Sequence, residues 1–261
     1  MTQAATRRQL DWSRTSKDYI SHRPGYTDAH FQFLKQLGIG LPGQQILDLG
    51  TGTGALALPF ARQGARVTAV DAAPGQIASA QARALEEHLD IRFIVSPAEE
   101  VELDEGGFDV VTASMSWGYL DKTRIVPLVK RLLRPLGRLL VSSTTWLGDA
   151  DALTRGTQAL IGRYCTGVSG RDNHLDRELI PAWASGHFRL LTYHQYVAAL
   201  PFTHESWRGR LRASKWIGAA LPPEQVEAFD RDLAALLKRE APERFHVDHG
   251  VRLQIFQALA S

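Results

Sequence analysis

An acidic side chain standing just before a run of alternate glycines can help hold a small ligand. Residues 46–56, Ile-Leu-Asp-Leu-Gly-Thr-Gly-Thr-Gly-Ala-Leu, carry that combination. The apolar pair Ile46-Leu47 leads to the carboxylate of Asp48, and Gly50, Gly52 and Gly54 follow at alternate positions. A helical apolar pattern begins at Ala55. The segment predicts a buried strand that turns through glycines into a helix. Without Cβ atoms the backbone can approach a ligand closely. The ligand is expected on unpaired N–H groups at the helix N-terminus. A dinucleotide fingerprint is spaced G-x-G-x-x-G, whereas this one is G-x-G-x-G. On these residues alone, a dinucleotide site and a tight turn with no ligand both stay open.

A second acidic tip follows. Arg66-Val-Thr-Ala-Val70 is a short apolar run ending at Asp71. A carboxylate at the tip of a second strand can accept hydrogen bonds from both hydroxyls of a ribose. NAD sites share that device. Pro74 suits the first turn of the next helix, and Ile77, Ala80, Ala84 and Leu85 keep roughly helical spacing. Ile91–Val95 predicts a third strand, residues 96–100 the loop after it, and Phe108–Ala113 a fourth strand. The end of that strand, Ser114 to Tyr119, should face a ligand crevice, as strand ends do in open α/β sheets. The βαβα alternation calls for a parallel sheet with helices on both faces.

Those elements must be carried by one chain of 261 residues, enough for a large α/β domain, alone or with an inserted lid. Hydrophobic content of 44% supplies a sizeable core, and a formal net charge of +2 gives no strong polyanion signal. Cys165 is the sole cysteine, so there is no intrachain disulfide framework. No apolar run resembles a signal peptide or reaches a membrane-spanning length, so a cytoplasmic location without membrane contact is expected. Residues 146–187 interrupt the α/β rhythm with Trp146, Trp183, several glycines and a helix-like stretch from Ala152 to Tyr164. They read as a cap inserted over the crevice. Strand character resumes from Phe188 to Ala199. Glu205–Ala220 and Glu224–Glu240 look helical, and His246–Phe256 is the last strand candidate.

The acidic residue two places before G-x-G-x-G resembles the first motif of the class I S-adenosylmethionine (SAM) dependent methyltransferases. Four further matches follow in order: the acidic tip Asp71, the Ala98-Glu99 loop, the Phe108-Asp-Val-Val run, and Leu132-Leu-Arg-Pro-Leu-Gly137 before a fifth strand. Leu136 replaces a glycine of that last motif. The likeness spans roughly residues 15–256, helped by Trp146-Leu147 and by Pro201–Ala213, which resembles a segment of one bacterial methyltransferase group. It implies a doubly wound, seven-stranded, Rossmann-like sheet whose last strand is antiparallel, with residues 27–261 as the methyltransferase domain. It also implies SAM as cofactor, held by Asp48, Gly50, Thr51, Gly52, Gly54, Asp71, Ala72, Ile77, Ala98, Glu99 and Ser114. The stretch Asp18–Tyr26, Asp-Tyr-Ile-Ser-His-Arg-Pro-Gly-Tyr, resembles an N-terminal segment that folds over the cofactor. Residues 1–26 are therefore expected to form a lid arm. In it, Tyr19 would lie against the sulfonium and Arg23 would meet the SAM carboxylate. Packing of Tyr19 and Tyr26 on the domain is the plainer alternative.

Methyl transfer from SAM is an in-line displacement in which the protein positions and desolvates the acceptor. A base is needed only if the acceptor must lose a proton, and no residue stands out as one. The catalytic candidates are Tyr19, Trp117, Tyr119, Trp146 and Arg208; Tyr164 is a further aromatic candidate for the crevice. Core packing is the alternative for Trp117 and Tyr119. Arg208, Arg212 and Lys215 share a helical face that is solvated or meets a carboxylate-bearing small molecule. With no second basic cluster, nucleic acid is not expected as a partner. Cys165 fits no nucleophile motif, and His246-Val-Asp-His249 splits its histidines across the two faces of a strand, so no metal is expected. An aromatic pocket with few ionisable groups suits a small acceptor, as in secondary metabolism. The first alternative is a SAM-consuming cyclase resembling the azetidine-2-carboxylate synthases, which release methylthioadenosine. A non-catalytic SAM-binding protein and an NAD(P)-dependent enzyme are the others.

Overall fold

A computed structural model describes residues 25–165, 179–214 and 216–259. Tyr19 and Arg23, the rest of the expected lid arm up to residue 24, and Lys215 lie outside the described residues, as do residues 166–178 of the expected cap. Seven strands form one sheet in the order β3-β2-β1-β4-β5-β7-β6. They are β1 (Gln45–Leu49), β2 (Arg66–Asp71), β3 (Ile91–Val95), β4 (Phe108–Ser114), β5 (Leu133–Trp146), β6 (Phe188–Thr203) and β7 (Arg244–Ala258). Strands β1 to β5 pair in parallel, and the last strand runs antiparallel. The fold is the expected doubly wound α/β sheet.

The register aligns the carboxyl ends. Asp48 sits opposite Ala69 on β2 and Thr112 on β4, Asp71 opposite Val95, and Ser114 opposite Ser142. The helices of this part are α1 (Asp28–Gln36), α2 (Ala57–Arg62), α3 (Pro74–Glu86) and α4 (Lys122–Leu132). Neighbouring residues of a strand point to opposite faces, and here both faces are buried. Ile46, Val110 and Leu140 pack with Phe31 and Leu34 of α1 and Phe60 of α2. Leu47, Val111 and Leu139 pack with Ile125, Val129 and Leu132 of α4. Burial on both faces is why these strands read as continuous apolar runs.

The chain divides into two compact units. The first, with described residues 25–145, 179–197 and 250–259, holds α1 to α4 and the strand ends discussed below. The second has described residues 146–165, 198–214 and 216–249. It is built on α5 (Ala152–Tyr164), α6 (His204–Arg212) and α7 (Pro223–Glu240). Capping boxes start α5 (Asp151 with Thr154) and α6 (Thr203 with Ser206). Its core gathers Trp146, Phe202, Trp207, Phe229 and Phe245. The helix expected over 205–220 stops at Arg212. Beyond it, the Ser214 hydroxyl accepts the Ile217 N–H at 3.3 Å, a local bond that competes with the helix. Among the described residues, no helix is long and apolar enough to cross a membrane.

Candidate functional site

The glycine turn is tied down before any ligand is considered. Gly50 and Thr51 both donate their N–H to the Val70 carbonyl, at 2.8 and 2.9 Å. Gly52 donates to Asp71 Oδ2 at 2.9 Å, and Gly54 to the Thr51 carbonyl at 3.0 Å. Helix α2 starts only at Ala57, two residues later than its apolar pattern. Four N–H groups of the turn, those of Gly50, Thr51, Gly52 and Gly54, are therefore spent on β2 and on the turn itself. The turn instead supplies closeness. Gly50 has φ +68°, and a Cβ there would stand 2.4 Å from Ser116 Cβ. Ser116 in turn donates its hydroxyl to the Leu49 carbonyl at 2.6 Å. The ends of β1 and β4 are thereby pressed together.

Asp71 is half-buried and accepts N–H bonds from Gly52 on one oxygen and Ala73 on the other, both at 2.9 Å. Each carboxylate oxygen carries two lone pairs, so acceptor capacity for a diol remains. The carboxylate thus stands at the tip of β2 with its orientation fixed by the backbone around it. Asp48 is only 2% exposed and accepts a 2.6 Å bond from the Thr112 hydroxyl. Burial pushes its pKa up to about 6, with neighbouring Asp71 adding to the rise and the Thr112 and Thr51 hydroxyls opposing it. A carboxylate held in this way is eager for a cationic neighbour.

The other expected cofactor contacts divide. Ile77 and Ala98 are buried, Ala98 in the core beside α4, while Ala72 is exposed. Glu99 accepts the Asp121 N–H at 2.8 Å and so clamps the loop after β3 to the start of α4. Ser114, at the end of β4, exchanges a 2.8 Å hydrogen bond with the Tyr26 hydroxyl, which also donates to Ser142 at 3.2 Å. Of the catalytic candidates, Trp117 is buried against Trp183 at 4.9 Å, and Lys122 lies over its ring. Tyr119 is 61% exposed.

Trp146 and Arg208 lie in the second unit. Trp146 is packed edge-on to Trp207 in the core, and Arg208 is bound to Asp230 and Glu205. The Trp146 indole is given to packing there and the part-buried Arg208 guanidinium to ion pairing. Tyr164 donates to Asp232 at 3.0 Å. Cys165 is buried, its thiol on the Trp216 carbonyl.

Three functional candidates, His30, Gln76 and Thr144, were not evident from sequence, whereas Trp117 was. His30 Nε2, Gln76 Oε1, Trp117 Nε1 and Thr144 Oγ1 are buried with no hydrogen-bond partner among the described residues. Unsatisfied buried polar atoms are uncommon and call for a reason. Gln76 is in the first turn of α3, just past Asp71. Trp117 and Thr144 follow the paired Ser114 and Ser142, and His30 stacks on Tyr26, itself bonded to those serines. All four thus gather at the carboxyl ends of the parallel strands; Gln63, at the end of α2, is an exception. One signal was available: His30 lies on the buried face of α1 with Phe31 and Leu34, a polar residue in an apolar stripe.

Residues 46–137 match a family described as a methyltransferase domain. The chain is 32% identical over 180 residues to a ubiquinone biosynthesis O-methyltransferase of Xanthomonas oryzae pv. oryzae, covering 67% of this chain and 73% of that one. Among solved structures, a type II methyltransferase candidate from Anaeromyxobacter dehalogenans superposes with TM-score 0.60 at 22% identity, over 90% of this chain and 97% of that one. The E. coli protein YjhP gives TM-score 0.57 at 21% identity, over 95% and 100%. At those identities the two structures speak for the fold.

Proposed function

The chain belongs to the class I SAM-dependent methyltransferase superfamily, and on that premise we propose that it methylates a hydroxyl group of a small molecule. It is a transferase with SAM as methyl donor. When bound, SAM supplies a methyl group already activated by its sulfonium. The residues at the strand ends suit that cofactor. Asp71 keeps lone pairs for ribose hydroxyls after its two backbone bonds. The buried Asp48 carboxylate offers the negative charge that the cationic methionyl part can neutralise. At Gly50, Gly52 and Gly54 no Cβ would stand between the backbone and a ligand.

The observation that carries the reading is the concentration, among the described residues, of unpartnered buried polar atoms around those same ends. A bound nucleoside and acceptor would satisfy them, removing a penalty of about 1–3 kcal/mol for each. The site asks the protein chiefly to position and desolvate. Hydroxyl methylation is favoured by the O-methyltransferase activity named for the Xanthomonas relative.

The test is product analysis. The pure protein is incubated with SAM alone and with a panel of small phenols and alcohols, and the nucleosides are identified by mass spectrometry. S-adenosylhomocysteine that forms only when an acceptor is added is the expected result. Methylthioadenosine formed from SAM alone would replace this reading with the cyclase.

A further inference from the structure

His30 is 1% exposed, and its ring is fixed on three sides. Tyr26 stacks on it at 4.1 Å, Phe31 meets it edge-on at 5.5 Å, and Nδ1 exchanges a 2.9 Å hydrogen bond with the Tyr196 hydroxyl. Nε2 is buried with no hydrogen-bond partner among the described residues. The stacked Tyr26 ring leads from this imidazole toward the cofactor turn. Tyr26 is bonded to Ser114 and Ser142, and two residues beyond Ser114, Ser116 packs against Gly50.

We infer that His30 is a specificity-determining residue, which hydrogen-bonds through Nε2 an uncharged hydroxyl group of the methyl acceptor. This rests on the methyltransferase reading above and names the acceptor's chemistry at one point. Among the described residues, the polar and titratable groups facing the imidazole are Tyr26 from the segment before α1, and Tyr196 and His194 from β6. None is a carboxylate. Burial, and then His194, lower the His30 pKa to about 4, so the ring is neutral at working pH. A group so reluctant to take a proton orients its ligand rather than acting as base. Where Nδ1 donates to Tyr196, an anionic ligand group at Nε2 would have to bring a proton with it; where Nδ1 accepts, the anion would be stripped of water against a neutral N–H. The Tyr196 phenol, its pKa pushed up to about 12 by burial, keeps its hydrogen. Whichever way the Tyr196–Nδ1 bond runs, a hydroxyl is the partner that fits, since it both donates and accepts.

The test uses the whole protein with S-adenosylhomocysteine bound, and catechol and benzoate as neutral and anionic probes. The His30 ring nitrogens are followed by ¹⁵N NMR. Millimolar catechol should shift the Nε2 resonance, and benzoate should not. In the His30→Phe/Tyr196→Phe variant, which removes both partners of the buried bond, SAM affinity measured by calorimetry should stay within about twofold. KM for catechol methylation should rise about tenfold, the loss of one hydrogen bond. An unmoved Nε2 resonance with catechol, or binding of benzoate with a rise in the His30 titration midpoint, overturns the inference. So does an equal loss of SAM affinity in the variant, which would make the residue structural. Failure of the wild-type protein to bind SAM would instead sink the methyltransferase reading itself.

Discussion

Replacing Asp48 by asparagine should make the protein more stable and a poorer binder of SAM. The carboxyl is buried, and its pKa rises from 3.8 to about 6 in the fold. A raised acid contributes stability that is complete below its unfolded pKa and is lost as pH rises through its folded one. At neutral pH, ionised Asp48 therefore costs the fold about 3 kcal/mol, at 1.36 kcal/mol per pH unit. Asparagine has the same shape. Its amide oxygen can still accept from the Thr112 hydroxyl, as Asp48 does at 2.6 Å. Its amide nitrogen can donate to a hydroxyl such as that of Thr51. The variant behaves as a permanently protonated Asp48. The difference between variant and wild type should be near zero at about pH 3.5 and grow to about 3 kcal/mol by about pH 8. Urea denaturation of both proteins across that range reads the difference directly, and titrations common to both cancel. Calorimetry at about pH 8 should find SAM bound more weakly, because the buried negative charge is gone. A variant less stable than wild type at pH 8, or a stability difference flat with pH, would refute the reasoning.

Asp71→Ala should lower SAM affinity by about 10- to 100-fold, the worth of hydrogen bonds to a charged group, with calorimetry as the readout. It should also loosen Gly52 and Ala73, whose N–H groups it binds. Gly50→Ala places a methyl 2.4 Å from Ser116 Cβ at φ +68°, and should cost about 3 kcal/mol in urea denaturation. Ser116→Gly in the same chain should recover part of that loss, whereas Ser116→Ala should not. Leu136 holds φ +66° on a side chain that is 73% exposed, so Leu136→Gly should raise the melting temperature, by the relief of about 1 kcal/mol of strain.

The parallel strands were legible because burial on both faces leaves uninterrupted apolar runs. Arg66–Asp71 and Ile91–Val95 are found as read, and Phe108–Ala113 extends only to Ser114. The helix after the glycine turn was read two residues early, because the backbone of the turn bonds sideways to Val70 and Asp71 and delays the first helical turn. Leu136 takes up a left-handed conformation, which glycine adopts without strain, so the turn forms despite the departure from the motif. Periodicity says nothing about partners far apart in the chain. Tyr26 meets Ser114 across 88 residues, and His30 meets Tyr196 across 166. Trp146 read as a crevice residue by its position after the fifth strand, but its indole packs on Trp207, 61 places later. A histidine on an apolar helix face was visible as an oddity, but its unpartnered nitrogen required the packing around it.

The most direct measurement is the fate of the methyl group. SAM labelled with ¹³C in its methyl carbon is incubated with the protein and a small hydroxylated acceptor, and the products are followed by NMR. The label should appear as a methoxy carbon on the acceptor, with S-adenosylhomocysteine left unlabelled. Label retained in methylthioadenosine, with the acceptor untouched, would contradict methyl transfer.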